Sequence, residues 1–516
     1  MHKRISPALL IASLTFSLQA ATLDDLPPDE ILDLDAPDAT ITAVPHLQQS
    51  MVQVRAAIIQ AEVFLPWRNS TPSWQTGYAV AVAPGVFLTP EPLVRNHADL
   101  QVRRAGSVQQ IPAEVILSDP RVGLALIRAV EEDWFPDAIP LRFVDVIPQQ
   151  GDFRLARWGD NDHLQTGAGS LLSIGFDSIG NGVPAQLTFT IASSLRVTHS
   201  GTPVIHNGQL AGLAIESGRA ARGILALAPE SINRFLEAAR NNDYTGVPEP
   251  TFEGLSLADP VRRRFLGVPE EYRDRGIYIS AARPQESNDY GLRREDVLLA
   301  WDGMDLDASG NYQHPAYGRI PFQHLVAQRT AGERIQATVV RDKAMQEVTV
   351  IIEPYSEDIF PVPENTIGKP ADYIVVGGLI FRELTQDYLE GFGDRWQRRA
   401  DINLTWHAFA AATLAAEPGK RTVILVGVLA DPINIGLREL RHRIVTGVNG
   451  HAVQNLADLA ARLHQDGLSS VTLHNMEAVP IRFNPEEVES ANQRIQARFQ
   501  IPAMQRLSTG TTSQPR

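Results

Sequence analysis

The sequence of 516 residues contains no cysteine, which excludes disulfide bonds, thiolate metal sites and a cysteine nucleophile. Basic residues are in deficit, with 46 Lys and Arg against 60 Asp and Glu and a formal net charge of −14. This balance argues against nucleic-acid binding, which needs a basic surface. The chain also lacks an apolar run of about 20 residues, the length that a membrane-spanning helix requires. Packed apolar cores alone must therefore hold the fold together.

The N-terminus has the pattern of an export signal. A basic start, His2-Lys3-Arg4, precedes the apolar stretch Pro7–Leu18 and the small residues Ala20 and Ala21. We expect residues 1–21 to be a cleavable signal peptide and the mature protein to reach the bacterial periplasm. The next segment, 22–45, is acidic and rich in proline, which predicts a flexible arm.

From Val52 to Arg240 the sequence consists of short β-type segments separated by Gly, Pro and Asn. Such spacing is typical of a β-sandwich or β-barrel. The region closes with a predicted helix over Pro229–Asn241, whose apolar residues recur at helical spacing.

Two related units of about 110 residues follow. Each contains a strand that ends in a tight turn, Asp302-Gly303 in the first and Asn449-Gly450 in the second. A predicted helix then follows, over Phe322–Gln328 or Leu456–Leu463. The shared order indicates a divergent internal duplication.

Seven segments resemble motifs of one protease family. Phe87–Val94 (FLTPEPLV), Ser118–Ile127 (SDPRVGLALI) and Thr198–Ala214 (THSGTPVIHNGQLAGLA) are similar to the triad segments of the HtrA/Deg proteases. Phe64–Trp67 (FLPW) and the later GLRREDVLLAWDG, PADYIVVGGLIF and LADPINIG resemble the multi-PDZ branch of that family. The resemblance implies a mainly β fold, a trypsin-like double β-barrel followed by two PDZ (α+β) domains.

These features predict seven segments along the chain. They are a signal peptide (1–21), an acidic flexible segment (22–45), a trypsin-like protease-type domain (46–245), a first PDZ domain (247–355), a linker (356–370), a second PDZ domain with a C-terminal extension (371–507) and a disordered tail (508–516).

The resemblance places the family's nucleophile at Ser200, its general-base histidine at Pro92 and its orienting aspartate at Gly123. Proline carries no titratable group, and glycine cannot orient an imidazole. Thr198 replaces a glycine next to the oxyanion hole, where a β-branched residue disfavours the required turn. We therefore predict a pseudoprotease that retains the serine but not the chemistry.

The nearby residues His97 and Asp119 fit a surface loop and a turn better than a triad. The alternative reading is a serine endopeptidase in which Ser200 uses a substitute base. The candidate histidines are His46, His97, His163, His199 and His206.

PDZ domains bind extended C-terminal peptides at a sheet edge, with backbone N–H groups around the terminal carboxylate. The resemblance points to two candidate loops, Phe252-Glu253-Gly254-Leu255 and Val376-Gly377-Gly378-Leu379. Expected partners are unfolded or C-terminally exposed polypeptides, an active protease relative, and further copies of the chain in a trimer or a multiple of it. No cofactor and no metal are indicated. A purely structural assembly protein with closed PDZ loops is the third alternative.

Overall fold

The structure is a computed structural model. It describes residues 44–507 apart from gaps at 61, 132, 160–161, 180–182, 198, 216–222, 241–245, 247, 249, 284, 286–290, 355–361, 364–370, 394, 412–418 and 477–479. The predicted signal peptide, nearly all of the acidic segment, most of the linker and the tail from 508 lie outside the described residues. In the described part of the chain, no helix is long and apolar enough to cross a membrane.

Six antiparallel strands close into the first barrel, in the order β1-β2-β3-β6-β5-β4. Their bounds are β1 Met51–Ile58, β2 Ser73–Ala83, β3 Val86–Pro90, β4 His97–Arg104, β5 Ile111–Asp119 and β6 Leu124–Ala129. Apolar side chains such as Val54, Phe87 and Ile127 fill its interior. Closure leaves no unpaired strand edge in this barrel.

The second barrel has the order β10-β11-β12-β9-β8-β7 and is also closed. Its strands are β7 Phe153–Trp158, β8 Leu164–Asp177, β9 Gln186–Ser193, β10 Thr202–His206, β11 Gln209–Ala214 and β12 Ile224–Leu227. Helix α1 (Pro229–Arg240) follows and buries Ile232, Phe235 and Leu236, as its periodicity predicted. The two barrels confirm the predicted trypsin-like double β-barrel.

The third unit, PDZ1, is an α+β fold on the sheet β13-β14-β15-β19-β20, with β16 paired to β15 and β17 paired to β18. Its elements are β13 Phe252–Ser256, α2 Pro260–Phe265, β14 Ile277–Ala282, β15 Val297–Trp301, β16 Met304–Asp305, β17 Asn311–His314, β18 Gly318–Pro321, α3 Gln323–Ala327, β19 Arg334–Arg341 and β20 Ala344–Ile351. The predicted turn after β15 is present, since Asp302 and Gly303 have φ of 50° and 74°.

The fourth unit, PDZ2, has the sheet order β27-β26-β24-β23-β22-β21-β28, with β25 paired to β24. Its elements are β21 Tyr373–Val376, β22 Leu379–Glu383, α4 Gln386–Glu390, α5 Trp396–Arg399, α6 Ile402–Ala411, β23 Val423–Val428, β24 Arg443–Val448, β25 His451–Ala452, α7 Leu456–Asp466, β26 Ser470–Leu473, β27 Ile481–Arg482, α8 Pro485–Phe499 and β28 Gln505–Arg506. The C-terminal residues of this unit thus add a strand to its own sheet.

PDZ1 packs against the second barrel through polar as well as apolar contacts. Arg234 of α1 donates hydrogen bonds to the carbonyl oxygens of Ala327 and Arg329 at the end of α3. Tyr317 bonds to Glu230 of the same helix and accepts a 2.8 Å hydrogen bond from the Ile147 amide. Helix α3 is therefore fixed from the barrel side.

Candidate active site and peptide-binding edges

A cleft of about 660 Å³ lies between the two barrels. Its lining comes from both of them: Trp74, Gln75, Thr76, Pro90, Pro92 and Leu93 from the first barrel, and Ile179, His199, Ser200 and Ile215 from the second. The fold thus brings Ser200 and Pro92, which are 108 positions apart in the sequence, to one cavity. This is the place in the fold where the resemblance predicts a catalytic site.

Ser200 lies on the turn that leads into β10, and this turn joins the two barrels. Its carbonyl oxygen accepts a 2.9 Å hydrogen bond from the Tyr78 amide, and Gly201 donates from its amide to Ala214 at 2.9 Å. Gly201 has φ of 85°, and a Cβ there would lie 2.0 Å from the Tyr78 carbonyl oxygen. The Ser-Gly turn is consequently required for packing, whether or not the hydroxyl reacts.

Pro92 lies in a short 3₁₀ helix, Glu91–Leu93, that directly follows β3. Proline is well tolerated in the first turn of a helix, where its missing N–H has no intrahelical partner. The ring presents only carbon atoms to the cleft. No group at this position can take a proton from Ser200.

Gly123 has φ of 71°, and its carbonyl oxygen accepts a 2.9 Å hydrogen bond from the Glu91 amide. A Cβ at this position would lie 2.5 Å from Cδ1 of Ile179 and 3.5 Å from Cγ1 of Val183. Apolar side chains of the second barrel therefore occupy the space into which a carboxylate would project.

Of the histidines considered as substitute bases, His199 is the one that lines the cleft in the described part of the chain. Its ring packs edge-on against Tyr78 at 5.7 Å. His97 donates from Nδ1 to the Val94 carbonyl oxygen at 2.6 Å, and His206 donates from Nε2 to Gln150 at 2.9 Å. Both imidazoles thus bond to loop carbonyls of their own barrels.

Three other positions named from the sequence are placed elsewhere or not described. His163 is exposed in the turn between β7 and β8, outside the cleft lining. The side chain of His46 and all of Thr198 lie outside the described residues. The predicted effect of Thr198 on the oxyanion hole remains a prediction.

Asp119 accepts a 2.7 Å hydrogen bond from the Arg121 amide, as expected of a turn residue.

Glu91, which the sequence analysis did not consider, adjoins Pro92 and is 1% exposed. Burial raises the pKa of its carboxyl group, and the hydrogen bonds from Arg95 act in the opposite direction. These bonds run from Nε and Nη2 of Arg95 at 2.7–3.0 Å. The Glu91/Arg95 spacing of four residues is a sequence signal that could have indicated this pair. It fixes the turn that carries Pro92 and does not line the cleft.

The first candidate carboxylate loop forms β13 at the edge of the PDZ1 sheet. This strand pairs with β14, and the described residues place no strand on its other side. Phe252 is buried beside Trp301 and stacks on Phe322 at 5.6 Å, whereas the side chain of Leu255 is 49% exposed. Glu253 lies within reach of the Ser280 hydroxyl, at 3.4 Å. An unpaired strand edge is the geometry that peptide addition requires.

The second candidate loop is a two-residue hairpin turn between β21 and β22. Gly377 and Gly378 have φ of 57° and 84°, as a type I′ turn requires. The Gly377 amide donates to Oδ1 of Asn492 at 2.8 Å, and its carbonyl accepts from Nδ2 of Asn434 at 2.9 Å. Strand β21 occupies the edge of β22 that corresponds to the open edge of β13, and β28 pairs with β21 in turn.

No group of three or more His, Asp or Glu side chains is arranged to hold a metal ion in the part of the chain that the structure describes.

Comparisons with known proteins agree with this architecture. Residues 362–507 match the family PDZ_3, a PDZ domain. Protease Do-like 2, chloroplastic, of Arabidopsis thaliana is 25% identical over 419 residues, covering 80% of this chain and 67% of the relative. Protease Do-like 4, mitochondrial, of the same plant is 26% identical over 431 residues, covering 82% and 78%.

A bacterial relative and a solved structure are also similar. The probable periplasmic serine endoprotease DegP-like of Marinomonas sp. (strain MWYL1) is 24% identical over 296 residues, covering 52% of this chain and 55% of the relative. The structure of HtrA-type protease AlgW with tripeptide covers 62% of this chain and 98% of its own, at 17% identity and a TM-score of 0.46. The double barrel, the PDZ match and the relatives along most of its length together support the HtrA/Deg family for this chain.

Proposed function

We propose that this chain is a catalytically inactive HtrA/Deg protein that is exported to the periplasm and binds polypeptides in envelope quality control. It would act as a scaffold or chaperone, or as a regulator of an active relative. One observation carries the proposal: Pro92 faces the cleft that holds Ser200, and Ile179 fills the space beside Gly123. Loss of the base alone lowers triad catalysis by roughly 10⁴- to 10⁶-fold.

Polypeptide binding is assigned to PDZ1 in this proposal. Among the described residues, no strand pairs with the outer edge of β13, and Leu255 offers an exposed apolar side chain beside it. In PDZ2 the corresponding edge is paired with β21, and the Gly377 amide is bonded to Asn492. This difference supports PDZ1 as the receptor and a closed loop in PDZ2.

The first test compares casein hydrolysis by the mature protein and by Ser200→Ala. We expect both proteins to be equally inert and the wild type to suppress aggregation of an unfolded client. Cleavage by the wild type but not by Ser200→Ala would overturn the assignment of an inactive site.

A second test measures binding of labelled peptides that end in an apolar residue. Amidation of the peptide C-terminus should weaken binding at least tenfold, because the backbone N–H groups then lose a charged acceptor. Leu255→Asp should also weaken binding. The control variant is Leu172→Asp on β8, where the leucine is equally exposed, and it should bind like the wild type. Equal binding of the peptide by the wild type, Leu255→Asp and Leu172→Asp would refute the β13 site.

A second candidate function is an endopeptidase that uses Ser200 with His199 as its base. The position of His199 in the same cleft supports it. In that case His199→Ala and Ser200→Ala should lose activity to the same extent, because residues that act as a unit are not additive. Activity that survives His199→Ala excludes this dyad.

The family resemblance also leads us to propose a homo-oligomer, a trimer or a multiple of it. Light scattering on the mature protein would test this directly. An oligomer that neither hydrolyses casein nor binds peptides would instead support the purely structural role.

A further inference from the structure

The connection between β1 and β2 forms a compact projection on the first barrel. The Glu62 amide donates to the Arg68 carbonyl oxygen at 2.8 Å, and the Arg68 amide donates back to Leu65 at 2.8 Å. We call residues 62–68 the aromatic knob, because Phe64 and Trp67 project from it. These internal hydrogen bonds hold the segment in a tight turn.

The aromatic knob packs into an aromatic cleft on PDZ2. The ring of Phe64 lies 5.3–5.5 Å from those of Tyr388, Phe392 and His442, in edge-to-face arrangements. The ring of Trp67 lies 5.7 Å from Tyr373. We define the aromatic cleft by these four partner residues, Tyr373, Tyr388, Phe392 and His442.

Two arginines of PDZ2 contact the main chain of the aromatic knob. Arg382 donates from Nη1 to the Val63 carbonyl oxygen at 2.5 Å, and Arg506 donates from Nη2 to the Pro66 carbonyl oxygen at 2.7 Å. Arg382 is 5% exposed, and burial lowers the pKa of its guanidinium group. A buried cation needs hydrogen-bond acceptors, which the carbonyl of the knob supplies.

The partners of the aromatic cleft are themselves fixed by the fold of PDZ2. The Tyr388 hydroxyl bonds to Nδ1 of His442 at 2.6 Å, and the Tyr373 hydroxyl donates to the Ala503 carbonyl oxygen at 2.8 Å. Ring positions that are fixed in this way favour binding, because little side-chain entropy remains to be lost.

We propose that the aromatic cleft of PDZ2 is a recognition site for internal peptide segments with aromatic residues at the first and fourth positions, and that the aromatic knob occupies it. The two arginines bond to main-chain carbonyls, so no terminal carboxylate is needed. This distinguishes the cleft from the β13 edge of PDZ1. Client segments of the same chemistry compete with the knob for the site.

The knob is attached at both ends, so it competes with a free peptide at an effective concentration on the order of 1 mM. The test therefore uses the mature chain and a fluorescent peptide with the sequence of residues 59–71. We expect Phe64→Ala/Trp67→Ala to bind this peptide at least tenfold more tightly than the wild type. Amidation of the peptide should leave its affinity unchanged. Val108→Ala, at a 98% exposed site of the first barrel, should bind like the wild type.

Adding Arg506→Ala to the double variant should weaken peptide binding at least threefold, because one carbonyl contact is lost. The proposal is overturned if the double variant keeps the wild-type circular dichroism spectrum and does not bind the peptide. Equal affinity for the wild type and the double variant would also overturn it.

A measurement on the wild type covers the case in which the double variant does not fold. Saturating peptide should raise the amide hydrogen-exchange rates of residues 62–68 at least tenfold, as the knob leaves the cleft. Unchanged exchange at saturation would contradict the proposal.

Discussion

Cδ1 of Ile179 lies 2.5 Å from the point that a Cβ of residue 123 would occupy, so an apolar side chain of the second barrel fills the space next to Gly123. At the predicted aspartate position, any side chain would therefore meet an apolar group of the second barrel.

We expect Pro92→His/Gly123→Asp to remain inactive on casein. The left-handed backbone at residue 123 and the displacement of the flexible methyl end of Ile179 should together cost about 1–2 kcal/mol. Urea unfolding should report this loss. Ile179→Ala in the same background should recover part of it by removing the clashing methyl group. Activity above the wild-type level in the double variant would show that the carboxylate can be accommodated.

Gly201→Ala should be far more destabilising than Gly85→Ala. Both glycines have positive φ, 85° and 71°, but a Cβ at Gly85 meets no atom within 4 Å. The backbone strain common to both costs about 1–2 kcal/mol. The contact with the Tyr78 carbonyl oxygen adds at least about 2 kcal/mol at Gly201 alone. Urea unfolding of the two variants measures the difference, and equal losses would contradict the tie between the barrels.

The stability of PDZ1 should fall in acid because of His324. Its side chain is 4% exposed, and burial together with the nearby His314 lowers its pKa from 6.5 to about 4. A depressed histidine pKa means that the unfolded state binds the proton first, so stability is lost as pH falls from 6.5 towards 4. At pH 4.5 the loss is about 2–3 kcal/mol.

The measurement is urea unfolding at pH 7 and pH 4.5 for the wild type and His324→Gln. Tyr312 bonds to Nδ1 of His324 at 2.6 Å, and a glutamine retains polar atoms near this hydroxyl. Because carboxylates titrate in both proteins, the difference between the two pH dependences isolates His324. Identical pH dependences would refute its role.

Arg341→Met should cost about 3–5 kcal/mol, since it leaves the carboxylate of Asp296 buried without its cation. The guanidinium of Arg341 donates to this carboxylate from Nε at 2.9 Å and from Nη2 at 2.8 Å. Asp296 is only 1% exposed. The surface pair Arg128–Glu114, at 2.8 Å, supplies the control Arg128→Met. Loss of this surface ion pair should lower the free energy of unfolding by no more than about 1 kcal/mol. Similar midpoint shifts for both variants in chemical unfolding would contradict the prediction.

Much of the local structure follows from the sequence. The region predicted to contain short β-type segments holds β1 to β12, and the predicted helix Pro229–Asn241 corresponds to α1. These segments were predictable because apolar periodicity and turn residues act over a few positions. The pairing of β28 with β21 could not be predicted in this way, because β28 lies more than 120 residues further along the chain.

The sequence by itself indicated the family resemblance, the double barrel followed by PDZ units, and the three positions at which a triad is predicted, because each is encoded in a contiguous motif. Tertiary structure alone decided that Ile179 fills the space at Gly123, that β13 is the terminal strand of its sheet within the described residues, and that Phe64 packs against PDZ2. These are contacts between segments distant in the chain. They depend on barrel closure and packing between units, and no local pattern records which side chains will meet.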